Sequence, residues 1–422
     1  MGSESISETE HPLDVEKPSP DADIIDKAPD GGARAWLVAS GGFFILFCGL
    51  GFANSFGTFE EYYLTHQLKG YSPDDVAWIG SVGAFLQFAI GALAGPLFDR
   101  FGAWMMRPAA VTYIAAMMLL SLCKTYWQIM LTQGVLQGIC LGLIMFPAFA
   151  AVSQYFDKKR AAALGIVVAG SSVGGIVIPI ALAKMLNGSS LGFGWSVRVI
   201  GFLISPPMLW SCIVITARLP PRKTNFWIGA AFKDVRFILL MVATFFMFVG
   251  LFTPIYFLPT YAVSRGMSAT LAGYMLAILN AASTFGRIIP GILADKYGRL
   301  NMLALGGVVT GIVIFTMNSV VSNAALVVYS IAFGFVSGTI ISGASAAFTI
   351  CAKDPRDIGT YIGTGLAFSS TAALIGPPSN GALLSSYGFM PVAMFSGAVC
   401  LVGGLITLAS KAATPQGILG NV

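Results

Sequence analysis

Apolar runs of roughly 20 residues recur from one end of the chain to the other, each long enough to cross about 30 Å of hydrocarbon. Bounded by charges or turn signals, they predict helices near 35–57, 75–97, 104–123, 127–152, 161–183, 197–217, 236–258, 268–293, 301–320, 323–349, 357–379 and 389–410. The pattern predicts an all-α membrane protein of twelve transmembrane helices. Composition agrees: 56% of the residues are hydrophobic and 10% charged, where soluble domains carry about 25% charged residues.

Charge sorts the ends and the loops. Residues 1–34 read as a disordered cytoplasmic tail, since within 1–28 Glu4, Glu8, Glu10, Asp14, Glu16, Asp21, Asp23 and Asp26 stand against only Lys17 and Lys27, with no apolar core of a signal peptide. If the amino terminus is cytoplasmic, the outer loops receive only Lys69, Lys124, Lys184, Arg198 and Arg265. The other lysines and arginines, Arg287 excepted, collect on the inner side. The positive-inside rule then places both termini in the cytoplasm, and the expected location is the plasma membrane. Scattered in this way, the net charge of +5 forms no basic stripe for nucleic acid, and the expected surroundings are lipid bilayer. The six cysteines lack CxxC spacing and read as packing residues, not as disulfide partners or metal ligands.

The longest internal loop, near 218–235, is polar and basic and divides the chain into a bundle at 35–217 and a bundle at 236–410, with a short tail at 411–422. Aligned at that point, GPLFDRFG (95–102) and GILADKYG (291–298) coincide, each at the inner end of the second helix of its half. The repeat is therefore parallel, and the expected fold is two pseudo-symmetric six-helix bundles. AGSSVGG (169–175) in helix five and the Gly/Ser/Thr-rich 363–381 in helix eleven form a second correspondence, in which small residues allow close helix approach.

The repeated G-x-x-x-D-[RK]-x-G suits a tight turn. Its acid can meet an amide-rich helix start, its base faces anionic headgroups, and its glycine turns the chain. Gly95, Asp99, Arg100 and Gly102, with Gly291, Asp295, Lys296, Gly298 and Arg299, are therefore candidate gate residues. This pair of motifs resembles the major facilitator superfamily, whose inner loops after helices two and eight carry it. Pro29-Asp30-Gly31-Gly32 with Trp36, and the stretch from Tyr155 and Phe156 through Lys159 and Arg160 to Gly175, look like the two signatures of the monocarboxylate porter family in its fungal branch. The resemblance implies alternating-access transport of a small organic solute, commonly with a proton, and matches Arg287 to that family's helix-eight arginine.

The residues make their own case for Arg287. An arginine in the membrane centre costs about 2.5–3.5 kcal/mol, so it faces a cavity or a partner. Asn280, Ser283 and Thr284 share its helical face. A guanidinium grips a carboxylate with two parallel bonds; alternatively, Arg287 satisfies backbone carbonyls or snorkels inward. Asn54, Gln137 and Tyr256 are further candidates for a solute cavity. The sequence departs from animal monocarboxylate porters in having Ser283 where they pair the arginine with an aspartate, and no lysine near Gly57-Thr58. No acid or histidine falls within a predicted helix interior, and Glu60, Glu61, Asp74 and Asp75 flank the first outer loop. No phosphate-cradling G-x-x-x-x-G-K-[ST] occurs, so neither ATP nor another cofactor is expected, and no nucleophile–base set suggests an enzyme. The expected function is a secondary transporter, with export of a fungal secondary metabolite preferred over import of a monocarboxylate. A nutrient sensor on the same scaffold would need a longer signalling segment.

Overall fold

The computed structural model describes residues 27–222, 226–417 and 420; most of the acidic amino-terminal segment lies outside them, as do the side chain of Asp74 and the last two residues. Among the described residues, twelve helices are long and apolar enough to cross a membrane. They are α1 Gly32–Thr65, α2 Asp75–Phe101, α3 Ala103–Leu120, α4 Tyr126–Tyr155, α5 Arg160–Gly188, α6 Gly192–Val214, α7 Val235–Ser264, α8 Thr270–Tyr297, α9 Arg299–Ser319, α10 Asn323–Cys351, α11 Pro355–Tyr387 and α12 Phe389–Ala412. An even number of crossings leaves Gly32 and Ala412 on one face. That face also carries the loops at 102, 156–159, 215–222, 226–234, 298 and 352–354, and we call it the basic face.

Each predicted helix is found, and most run longer than hydropathy indicates. The largest difference is α1, which breaks at Asn54 and Ser55 and continues as Phe56–Thr65. Glu60 and Glu61 end the apolar run, yet the helix persists because it has packing to gain. Phe59 and Tyr63 are fully buried, Phe59 meets the ring of Phe193 at 6.2 Å, and the Tyr63 hydroxyl donates to Gln133 at 2.7 Å. Glu60 and Glu61 thus stand on a helix rather than in a loop, and Asp99 and Asp295 fall inside α2 and α8, correcting the expectation of helix interiors without acids. Gln133 itself lies in a π-helical turn, Met130–Leu136, a kind of distortion that recurs at functional sites. On the opposite face three helix starts are capped by serines: Ser72 and Asp75 form a reciprocal capping box, and Ser268 and Ser322 accept from Leu271 and Ala325.

The two bundles meet where small residues face each other. A methyl group on Gly91 would stand 2.8 Å from the carbonyl oxygen of Gly363, and one on Gly291 would stand 2.8 Å from that of Ala161. Gly95 and Gly359 interlock in the same way, backbone to backbone. The α2–α11 and α5–α8 crossings therefore approach as only glycine permits. All six cysteines are free, and five are buried.

Candidate functional site

Arg287 sits at the α5–α8 crossing with 5% of its surface exposed. Its Nη1 donates to the carbonyl oxygen of Val168 at 2.8 Å and to the hydroxyl of Ser171, both on α5, while its Nε is buried without a hydrogen-bond partner. The guanidinium thus reaches from one bundle to a backbone carbonyl of the other. Among the described residues it has no carboxylate within ion-pair distance. Ser171 is shared, because its own carbonyl accepts from the Asn54 amide at 3.4 Å. Gly175, one turn further along α5, lies between Asn54 and Asn280: a methyl group there would stand 2.7 Å from the Asn54 nitrogen and 3.3 Å from that of Asn280. Asn54, exposed at the break in α1, Asn280, half-buried on α8, and Arg287 therefore converge on one stretch of α5.

The other candidates stand apart from this convergence. Ser283 shares the face of Arg287 but is 1% exposed, with its backbone pressed against Gly338 of α10. Gln137 is buried just past the π-helical turn, its amide nitrogen unpartnered. Tyr256 is 52% exposed near the opposite-face end of α7, beside Phe252 and within the field of Glu60.

On the basic face each motif acid caps a helix of the other bundle. Asp99 is buried and accepts from the backbone of Gly359 (3.1 Å) and from the backbone and hydroxyl of Thr360 (2.7 Å each), at the start of α11. Asp295 accepts from the backbone of Ala161 (2.9 Å) and Ala162 (2.8 Å), at the start of α5. An anion at these amide-rich starts meets both the free N–H groups and the positive end of the helix dipole. Gly102 and Gly298 take positive φ values of 75° and 99°, the left-handed turn that ends each motif. The bases behave differently from each other. Arg299 lies 3.6 Å from Asp295 and also reaches the carbonyl of Asp157, whereas Arg100 and Lys296 lie over the rings of Phe101 and Tyr297.

The sequence profile described as Major Facilitator Superfamily matches residues 41–363 and 240–418. The chain belongs to this superfamily. Among curated relatives, the chain is 49% identical over 393 residues to "Aspyridones efflux protein apdF" of Emericella nidulans, covering 93% of this chain and 80% of the relative. It is 37% identical over 394 residues to "Agnestins efflux protein AgnL12" of Paecilomyces divaricatus, covering 92% and 89%. The crystal structure of "the human organic anion transporter MFSD10 (TETRAN)" shares the fold, with a TM-score of 0.72 at 14% identity, covering 89% of this chain and all of that one.

Within this superfamily fold the two sequence signatures form one joint on the basic face. Asp30, at a φ of 51°, donates its N–H to the Tyr155 carbonyl at 3.1 Å. Its carboxylate accepts from the N–H groups of Asp157 (2.6 Å) and Lys159 (3.3 Å). Gly31 and Gly32 carry the chain into α1, and Trp36 packs on Phe156 at 5.0 Å. Arg160, next to the helix start that Asp295 caps, donates to the Phe156 carbonyl and pairs with Asp157 at 3.2 Å. Asp30 thus holds the loop from which α5 begins. Asp30→Ala should slow turnover by at least about tenfold with little change in KM, since each charge-assisted bond removed costs about 1.5–3 kcal/mol; an effect confined to KM would contradict this role.

Sequence reasoning missed the partners. Val168, Gly359, Ala161 and Ala162 act through backbone atoms, which no side chain advertises. Ser171 and Thr360 carried only the weak signal of small polar residues at the ends or crossings of helices. Arg222, in the linker, offers the sequence no more than a loop charge; it donates its N–H to the Asp99 carbonyl (2.7 Å) and pairs with Asp357 at 2.7 Å, stitching the linker to the start of α11.

Proposed function

We propose that this chain exports a small anionic secondary metabolite of fungal origin across the plasma membrane, by alternating access and with both termini in the cytoplasm. The observation that carries the reading is the reach of Arg287 from α8 to the Val168 carbonyl and Ser171 on α5. With Asp99 and Asp295 engaged, the basic face is closed, and the guanidinium is taken up by neutral acceptors of the other bundle. When the basic face opens, α5 and α8 part and those acceptors withdraw. The guanidinium then turns to the carboxylate or enolate of a solute, a charged and therefore stronger acceptor. Closing returns Val168 and Ser171 as competitors, so the anion is held weakly once the site faces outward. An exporter needs affinity in that order.

The names of the efflux relatives favour export of such metabolites, and the basic loops favour a cytoplasmic basic face. The joint between the two signature segments supports placing the chain in the monocarboxylate porter branch. With no phosphate-binding loop in the sequence, we read the transport as secondary. For a proton partner, the half-buried Glu60, near Tyr256 at the opposite face, is the candidate. Transport by Glu60→Gln should lose its dependence on an imposed pH gradient; a gradient response equal to the wild type would remove Glu60 from that role.

The direct test is deletion of the gene in the producing fungus, with metabolites profiled in cells and medium. The exported compound should shift from medium to cells. An unchanged partition would overturn export, and a compound left behind in the medium would reverse the direction to import.

A further inference from the structure

On the basic face, between the linker and the C-terminal bundle, lies a cavity of about 450 Å³ bordered by Lys233, Asp234, Arg236, Lys353, Asp357 and Tyr361. It belongs neither to the α5–α8 crossing nor to the motif caps. Its two carboxylates are already engaged. Arg236 grips Asp234 with bonds of 3.0 and 2.7 Å, and that hydrogen bonding holds the Asp234 carboxyl below its usual range. Asp357 is held by Arg222 from behind the cavity. Lys233 and Lys353 remain: both are exposed, neither makes an ion pair among the described residues, and both border the same space. The uncompensated charge of the cavity is therefore positive.

The surroundings indicate what the anion is attached to. Trp227, Phe232 and Val235, chain neighbours of the lining, expose 49%, 51% and 60% of their surface. Val235 is also where the candidate crossing α7 begins, and Phe232 and Trp227 precede it in the chain by three and eight residues. A tryptophan there is amphipathic enough to anchor in the interface. A site with cations inward and an apolar rim at the membrane surface matches a molecule with an anionic head and acyl tails. A soluble phosphate would have no use for the rim.

We propose that this cavity binds the phosphate-bearing headgroup of an anionic phospholipid, with Lys233 and Lys353 as its ligands and Trp227 and Phe232 beside the first carbons of the acyl chains. Each lysine near the surface strengthens such binding by about fivefold. Loss of both should weaken it by about tenfold or more.

The test uses the purified full-length protein in neutral detergent, with phosphatidylserine or phosphatidylcholine added, and reads thermal unfolding together with the number of lipids retained in native mass spectrometry. Phosphatidylserine should raise the unfolding midpoint and leave a retained lipid, phosphatidylcholine should do neither, and Lys233→Gln/Lys353→Gln should lose both effects. Equal responses to the two lipids, or equal phosphatidylserine responses in wild type and variant, would overturn the site. Millimolar inorganic phosphate supplies the remaining arm. No shift supports a lipid ligand, and a shift matching that of phosphatidylserine would overturn the lipid assignment in favour of a soluble anion. Because both lysines are exposed, the variant should unfold at the wild-type temperature without added lipid.

Discussion

Arg287→Ala is expected to abolish transport of an anionic substrate while leaving insertion and yield intact. A buried charged contact of this kind supplies about 2–5 kcal/mol, so substrate affinity should fall by at least about thirtyfold. Insertion should not suffer, because removing a membrane arginine relieves about 2.5–3.5 kcal/mol. Two companion variants separate anion binding from structure. Arg287→Lys keeps the charge but loses the planar pair of donors, and should retain weak transport. Ser171→Ala removes one neutral acceptor of the closed state and leaves the guanidinium free to bind the solute; it should transport with affinity near the wild type or better. If Ser171→Ala were as inactive as Arg287→Ala, the arginine would be a structural latch and its role as substrate contact would be lost. Uptake into inverted vesicles, with substrate varied to give KM, measures all three.

What the sequence made legible follows from where the chemistry is written. The twelve crossings are carried by apolar length, and the two basic-face turns by a short pattern in which every element, an acid, a base and a glycine at positive φ, is a side-chain property. Asp99 and Asp295 were therefore found, together with the kind of partner they need, an amide-rich helix start. Which helix starts serve them was not legible, because Gly359, Ala161 and Ala162 contribute N–H groups that any residue possesses. Arg287 presents the same division. Its cost in the membrane singled it out, but a backbone carbonyl on α5 has no signature. Hydropathy failed at the opposite-face end of α1 for a different reason. Glu60 and Glu61 lower the local average, while Phe59 and Tyr63 on the same turns pack fully, so a helix set by side-chain packing outlasts the apolar run. Helical periodicity says which face a polar residue occupies but not what lies against it: a shared face brings Asn280 and Arg287 to the same stretch of α5, but leaves Ser283 packed against α10 and does not place Gln137 or Tyr256.

Replacing both motif acids, Asp99→Asn with Asp295→Asn, is expected to open the basic face. A single capping oxygen suffices for an ordinary helix start, and asparagine supplies one as well as aspartate does. Here both oxygens of each carboxylate are used: Asp99 takes Gly359 on one and Thr360 on the other, and Asp295 divides Ala161 and Ala162 in the same way. Asparagine therefore turns an NH2 group toward an N–H donor and gives up the attraction to the helix dipole. We expect a cost of about 2 kcal/mol at each cap. The caps join different helix pairs, so the costs should roughly add, shifting the balance between closed and open states by about a thousandfold. A single cysteine at Thr364, one turn beyond Thr360 in a cysteine-free background, reports the change through its alkylation rate from the basic face. That rate should rise modestly in each single variant and steeply in the double. Turnover should fall, since the open state must still close in every cycle, whereas substrate binding from the basic face should hold or strengthen. Alkylation at the wild-type rate in the double variant would mean that closure rests on the glycine crossings, Gly95 with Gly359 and Gly291 with Ala161, and that the acids merely cap their helices.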